Sequence, residues 1–168
     1  MLTNAAGELE MYSVDIDLSD RKHTEDALRH SETQLAKQKH TLKAILNAAP
    51  IWIWMTNTHG KMQFVNKTFC QNVGIPACSF IEAEHYREIL GEEIAANCMA
   101  SDSACLAQET PHLSVEMLPF ADGKIHNVEV TKAQIKDSQG QTIGIIGLGV
   151  DATERAQARL MLQEKTSI

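Results

Sequence analysis

Three extended runs separated by two short turns occupy the C-terminal part of the chain. The runs lie at residues 113–118, 125–131 and 142–150, and the sequences Ala121-Asp122-Gly123-Lys124 and Asp137-Ser138-Gln139-Gly140 separate them. Strands joined by turns this short lie side by side and antiparallel, because a parallel neighbour needs a long crossover connection. This part of the chain therefore predicts a three-stranded antiparallel sheet.

Two further strands are predicted after Pro50. Residues 51–55 are continuously apolar, as in a strand covered on both faces, and the turn at residues 57–60 leads into a second run at residues 61–65. Between this hairpin and the later strands, roughly residues 67–108 have the pattern of short helices. The element order predicts an α+β domain in which helices close one face of a five-stranded antiparallel sheet and enclose a small cavity.

The N-terminal part predicts one long helix. Residues 19–47 contain neither Gly nor Pro and consist mostly of good helix formers. Leu28, Leu35 and Leu42 recur every seven residues, which is half of a coiled-coil seam. We expect this helix to pair in parallel with that of a second copy. The alternative is a solvated helix that packs on its own domain through a few leucines.

Composition and charge exclude several classes of protein. The 168 residues are 43% hydrophobic and 22% charged, close to the average of globular domains. The formal net charge of -7 has the wrong sign for neutralising phosphates, so we expect no nucleic-acid partner. Neither a signal peptide nor an apolar run of membrane-spanning length is recognisable, so we expect a cytoplasmic segment without direct membrane contact.

The sequence lacks the motifs that carry catalysis or bind metals. There is no Gly-rich phosphate loop, no HExxH and no GxSxG, so we expect no catalytic residues and no enzymatic activity in this segment. Cys70, Cys78, Cys98 and Cys105 form no CxxC pair and no Cys/His spacing typical of zinc. We therefore expect reduced thiols and no metal site.

A short repeat relates the two ends of the chain. Residues 14–21 and 149–155 both lead from an apolar run into acidic and hydroxyl residues that can cap a helix. The spacing between Asp17 and Asp151 suits one small domain plus a linker. We therefore expect an extended segment near the start of the chain that ends a preceding domain.

Four groups of residues follow one another along the chain: Ile45-Leu46-Asn47-Ala48-Ala49-Pro50, residues 57–66 with Phe69 following, Asp122-Gly123, and Gly147-Leu148-Gly149-Val150-Asp151-Ala152-Thr153-Glu154-Arg155. Together they resemble the PAS (sensory box) domains of bacterial signalling proteins, over about residues 42–155. The last group is similar to the family's Asp-Ile-Thr exit signature, with Ala152 in the middle position.

The resemblance implies a division of the chain and a role. Residues 1–18 would be the tail of an upstream PAS-like domain, residues 19–47 a signalling helix, residues 48–155 the PAS domain, and residues 156–168 the start of an output helix. The module would belong to a multidomain bacterial protein, such as a two-component histidine kinase or a diguanylate cyclase, whose output domain lies in the same parent chain. We expect a homodimer that senses a small molecule. The alternatives are a passive dimerisation module without ligand and a flavin or haem sensor of redox state, gas or light.

The resemblance also implies candidate site residues. By the family pattern, Ile53 and Met55 would face the cavity, while Trp52 and Trp54 would face outward to the N-terminal helix or a partner subunit. The predicted dimer contacts are these two tryptophans with Leu28, Leu35 and Leu42. The predicted cavity lining is Ile53, Met55, Phe64, Phe69, Leu90, Met117, Val128, Val130 and Ile145.

Signal output is predicted to pass through Asp151, Thr153 and Arg155, where the last strand leads into a helix. Asp151 or Thr153 can cap the first turn of that helix, and the acidic group is favoured by the helix dipole. A shift of the last strand would then tilt or rotate the helix.

No cofactor is expected. Flavin photosensors of this family carry Asn-Cys followed by Arg-Phe-Leu-Gln, whereas here Asn97-Cys98 is followed by Met99, and the last strand has no Gln. A haem sensor needs an axial His or Met from a helix at the cavity. His85 lies among charged residues, which favours a solvated position, and Met99 is the other candidate.

Overall fold

The structure is a computed structural model that describes residues 5–166 of the chain, with side chains described for residues 18–163. It divides into two units, one ending at Ile45 and the other beginning at Leu46. The first unit is helical and the second contains the sheet.

The long helix α1 spans Ala5–Ala48. It confirms the predicted N-terminal helix, and Leu28, Leu35 and Leu42 are exposed along it. The extended segment expected at residues 14–18 is wrong, because this stretch is helical. A helix satisfies its backbone hydrogen bonds within the segment, whereas a strand needs a neighbouring strand. The assignment of residues 1–18 to an upstream domain, of which residues 1–4 lie outside the described part, stays a prediction.

The second unit contains a five-stranded sheet in which every neighbouring pair is antiparallel, in the order β2-β1-β5-β4-β3. Four helices separate β2 from β3, and one follows β5. This confirms the predicted α+β fold. The strands are β1 Trp52–Asn57, β2 Met62–Val65, β3 His112–Pro119, β4 Ile125–Lys136 and β5 Thr142–Asp151. The helices are α2 Lys67–Val73, α3 Ala77–Glu82, α4 Arg87–Leu90, α5 Glu92–Leu106 and α6 Thr153–Thr166.

Asn66 joins the start of this unit to the sheet and to α2. Its side chain is fully buried, and its Oδ1 accepts hydrogen bonds from the backbone N–H groups of Ile53 and Phe69. Its Nδ2 donates to the carbonyl oxygens of Leu46 and Ile51. One amide thus caps α2 and satisfies backbone groups of three segments at once.

The inner face of the sheet carries the two tryptophans. Trp52 and Trp54 are only 1% and 7% exposed and pack with Phe69 and other buried side chains of the helices. Ile53 and Met55 alternate with them and therefore lie on the outer face. The expected orientation of β1 is thus reversed. The buried indoles are not available for a contact between subunits, which is a correction to the predicted dimer surface.

Candidate functional site

A cavity of about 30 Å³ lies between the inner face of the sheet and the helices. Aromatic and aliphatic side chains, among them Trp52, Trp54 and Phe69, form most of its wall, and Asp102, Glu116 and Lys132 form a polar part. One water molecule needs roughly 10–15 Å³ measured in this way, so the cavity has room for about two waters.

The predicted lining residues fall into three groups. Phe69 and Leu90 border the cavity. Three others are buried on the inner face without bordering it: Val128, Val130 and Ile145. The remaining four lie on the outer face, namely Ile53, Met55, Phe64 and Met117, and Met117 is 67% exposed. These four placements are corrections. The reversed β1 accounts for Ile53 and Met55 and, through the pairing of β1 with β2, for Phe64. Met117 on β3 is a separate error of face, since Val128 and Val130 on the neighbouring β4 do lie on the inner face.

The polar part of the wall is organised around Lys132. This side chain on β4 is 1% exposed, and its Nζ donates to Asp102 Oδ1 at 2.7 Å, to Ser101 Oγ at 2.6 Å and to the Cys98 carbonyl oxygen at 3.2 Å, all on α5. Glu116 Oε1 on β3 lies 3.1 Å from the same Nζ. The ammonium group therefore links β4 to both α5 and β3.

The two carboxylates have further donors. Glu116 accepts from Ser101 Oγ at 2.7 Å and from Cys98 Sγ at 3.3 Å. Tyr86 donates its hydroxyl to Asp102 Oδ2 at 2.6 Å. With one ammonium and two carboxylates ionised, the cluster carries a net negative charge. Buried charges of this kind are tolerated where hydrogen bonds satisfy them, and here each charged group has several.

Ionisation in this cluster follows from burial and from the neighbouring charges. Burial alone would lower the pKa of Lys132, but the carboxylates of Asp102 and Glu116 outweigh it and raise that pKa. Burial alone would raise the pKa of Glu116, but Lys132 and the hydrogen bond from Ser101 outweigh it and lower that pKa. Burial, followed by the charge of Glu116, raises the pKa of Cys98 to about 12. Cys98 is therefore a neutral thiol and a poor nucleophile at neutral pH.

Trp52 supplies an unused donor beside the cavity. Among the described residues, its Nε1 is the one buried side-chain nitrogen or oxygen without a hydrogen-bond partner. Trp52 is also one of the residues that border the cavity.

The predicted relay residues meet where β5 passes into α6. Asp151 Oδ1 accepts the backbone N–H of Thr153, the first residue of α6, at 2.9 Å. Thr153 Oγ1 in turn accepts the backbone N–H of Asn127 on β4, also at 2.9 Å. Arg155 forms an ion pair with Glu129 on β4. The start of α6 is therefore attached to β4 through Thr153 and Arg155, and to β5 through Asp151.

His126 is a residue of this junction that the sequence analysis did not select. Its Nδ1 lies 2.8 Å from Asp151 Oδ2, and its Nε2 lies 2.9 Å from Asp122 Oδ2. The ring stacks on Phe120 at a centroid distance of 3.8 Å, and Phe120 lies 5.1 Å from the ring of Trp52. The spacing of Asp122 and His126 across a turn is visible in the sequence, but the approach of Asp151 depends on the β4–β5 register.

The candidates for cofactor ligation lie away from the cavity. His85 Nδ1 accepts the backbone N–H of Arg87, and neither His85 nor Met99 borders the cavity. The four cysteines are unpaired. Among residues 5–166, no three His, Cys, Asp or Glu side chains are grouped as metal ligands would be. No helix in the same range is both long and apolar enough for a membrane span.

Comparison with solved structures shows the same architecture in several proteins. An RNA-binding light-oxygen-voltage receptor superposes with a TM-score of 0.63 at 16% identity, covering 79% of this chain and 38% of that one. The PAS domain of BvgS from Bordetella pertussis superposes with a TM-score of 0.57 at 22% identity, and the match covers 79% of this chain and 99% of that one. A domain of a sensory box sensor histidine kinase/response regulator from Geobacter sulfurreducens gives a TM-score of 0.53 at 19% identity, and the match covers 70% of this chain and 96% of that one.

No curated protein matches the sequence. The family model described as the PAS fold matches residues 46–157, which is more than half of the chain and includes the sheet, the cavity and the start of α6. On the strength of this match and of the architecture described above, the chain belongs to the PAS-fold family.

Proposed function

We propose that this domain is a sensory or regulatory module that transmits a change in its core to the helix after the sheet. The observation that carries the proposal is a continuous series of contacts from the cavity to α6. Trp52 packs 5.1 Å from Phe120, Phe120 stacks on His126, and His126 faces Asp151 at 2.8 Å. Because Asp151 also accepts the N–H of Thr153, a displacement of the cavity wall acts on the first turn of α6.

The stimulus in this proposal is a small molecule bound at the cavity. The free N–H of Trp52 and the polar groups around Lys132 supply the hydrogen bonds that such a site needs. Since the cavity holds only about two waters, a larger ligand enters by displacing side chains of the wall. That displacement is the event that the contacts through Phe120 would pass on.

A second candidate is a passive dimerisation module without ligand. The small volume of the cavity favours it, as do the exposed Leu28, Leu35 and Leu42 on α1. A ligand that binds only the folded state raises the melting temperature, so a metabolite screen separates the two candidates. A reproducible rise with one compound supports sensing, and no change across the screen supports passive pairing. An absorption spectrum of the purified protein tests the flavin and haem alternatives through their visible bands.

The proposal extends to the parent protein. We infer a homodimer in the cytoplasm, with an output domain of the histidine kinase or diguanylate cyclase type, and without nucleic-acid or membrane contact by this segment. The Geobacter neighbour, a domain of a sensor histidine kinase, supports the first output type. The net charge of -7 supports the absence of a nucleic-acid partner, although one neighbour is an RNA-binding receptor.

Amide hydrogen exchange on the whole chain tests the relay. Phe120→Leu removes the ring that stacks on His126, so we expect several-fold faster exchange in the first turn of α6 and little change in the hairpin of β1 and β2. Phe64→Leu, on the outer face of β2, is the matched control and should leave α6 unchanged. Equal exchange at α6 in the wild type and Phe120→Leu would contradict the relay.

A further inference from the structure

His126 lies between two carboxylates at the junction of β5 and α6. Both of its ring nitrogens have a carboxylate oxygen within 2.9 Å, from Asp151 on one side and Asp122 on the other. Phe120 covers one face of the ring, with an angle of 5° between the two ring planes. The side chain is 17% exposed, so water has limited access to it.

This geometry selects one protonation state of the ring. A neutral imidazole has one N–H and one lone pair, and between two carboxylates its lone pair would face an anion. An imidazolium donates from both nitrogens and carries a charge opposite to that of its partners. The arrangement is therefore complete only when His126 is protonated.

We propose that His126 is a proton-dependent clamp on the output helix: as an imidazolium it holds Asp151 and the start of α6 in place, and loss of its proton releases them. The signalling consequence rests on the proposed function, whereas the protonation of His126 and its hold on Asp151 do not. The domain would then respond to alkalinisation in addition to any ligand.

The other charged groups near the His126 ring have partners of their own. Asp122 is in the β3–β4 turn, where its Oδ1 also accepts the backbone N–H of Lys124 at 2.9 Å. Glu129 of β4 and Arg155 of α6 pair with each other. Of these residue types, only histidine ordinarily changes its charge near neutral pH. His126 is therefore the proton-sensitive element of the junction.

The pH range of the clamp follows from the directions of the pKa shifts. The hydrogen bond to Asp122, followed by that to Asp151, raises the pKa of His126 above its ordinary value of 6.5. Burial would raise the pKa of Asp151, but Thr153 and His126 outweigh it and lower that pKa below 3.8. A raised histidine pKa gives a contribution that is complete below pH 6.5 and is lost as the pH rises through the folded-state value. The clamp thus closes at acidic pH and opens on the alkaline side.

An NMR titration of the isotope-labelled full chain tests the protonation. His126→Gln assigns the ring signals, and we expect a midpoint above 6.5. Asp122→Asn and Asp151→Asn should each move the midpoint down, because each removes one partner of the imidazolium. A wild-type midpoint at or below 6.5, or a midpoint unchanged in both variants, would overturn the proposal.

Amide exchange across the same pH range tests the release. After correction for intrinsic base catalysis, exchange at residues 153–156 should accelerate as His126 loses its proton in the wild type, and His126→Gln should abolish that step. His59→Gln, at an exposed turn, is the control and should keep it. If His126 titrates as expected while α6 shows no such step, the ion pairs exist without a clamp and the proposal is wrong. The two failures are distinguishable: equal α6 exchange in the wild type and Phe120→Leu, with the wild-type pH step intact, contradicts the relay from the cavity alone, whereas a missing pH step contradicts the clamp.

Discussion

Gly147 on β5 lies opposite Trp54 on β1, and the indole ring occupies the space that a Cβ atom at Gly147 would take. Two residues along, Gly149 lies opposite Trp52 in the same register. A Cβ at Gly149 would lie 3.1 Å from Val128 Cγ1, which is tight but not overlapping. Gly147 thus makes room for the Trp54 ring, whereas Val128 is the nearest neighbour at Gly149.

Gly147→Ala should destabilise the domain. The added methyl group overlaps a ring held between strand and helices, and overpacking of this kind costs about 1–3 kcal/mol. Gly149→Ala, with its milder contact, should cost less. Urea unfolding measures the free energy of unfolding that each variant loses. Trp54→Phe supplies a smaller ring, so the double variant with Gly147→Ala should show a favourable coupling energy. Strictly additive effects would show that the two positions do not compete for space.

Local patterns in the sequence predict the strands, because turn residues and apolar runs mark them directly. They do not predict that β5 lies between β1 and β4, since the pairing of β1 with β5 joins segments far apart in the chain. The orientation of β1 was predicted wrongly for a related reason. Residues 51–55 are apolar at every position, so periodicity cannot choose a face. The spaced glycines at 147 and 149 are the signal that could have chosen it.

The polar cluster was missed because its parts look ordinary in isolation. The predicted fourth strand ended at Thr131, one residue before Lys132, whereas β4 continues to Lys136. Lys132 extends the inner-face alternation of Val128 and Val130, and that alternation places it in the core. A lysine there needs carboxylates, but their identity depends on how α5 packs on β3 and β4. The sequence indicates a buried cation at most, not its partners.

Lys132→Met should be strongly destabilising. It leaves Glu116 and Asp102 without their buried cation, and removal of one member of a buried ion pair costs about 3–5 kcal/mol. Lys136→Met is the matched control on the same strand, because its pair with Glu109 is exposed. Such surface pairs contribute about 0–1 kcal/mol. Chemical denaturation compares the two, and equal losses would argue against a charged cluster in the core.

Acidification should weaken the domain partly through Glu116. Its pKa is lowered in the folded state, since Lys132 and Ser101 outweigh the effect of burial. Its stabilising contribution is therefore present above its ordinary pKa of 4.5 and is lost as the pH falls through the lower folded value. Unfolding free energies measured along this range should fall less steeply in Glu116→Gln than in the wild type. An unchanged slope would indicate that Glu116 is not ionised in the fold.

Asn66→Ala should destabilise by at least about 2 kcal/mol, because it removes a helix cap and leaves buried backbone groups without partners. Asn66→Asp keeps the two acceptor contacts to Ile53 and Phe69 but loses both donors. Asn47→Ala is the control, since its side chain accepts a single exposed hydrogen bond from Lys67. In thermal unfolding, the melting temperature of Asn66→Ala should lie well below that of Asn47→Ala. A reversed order would contradict the role given to Asn66.

The apolar stripe of α1 predicts a parallel helix pair, which disulfide cross-linking tests. In such a pair, Leu35 of one copy faces Leu35 of the other, so Leu35→Cys should oxidise to a covalent dimer. His40→Cys, on the opposite face of the same helix, is the control and should cross-link poorly. Both variants are made with Cys78→Ser, because Cys78 is the exposed native cysteine. A monomer by light scattering, or equal cross-linking at both positions, would exclude a specific parallel pair and leave α1 a solvated helix.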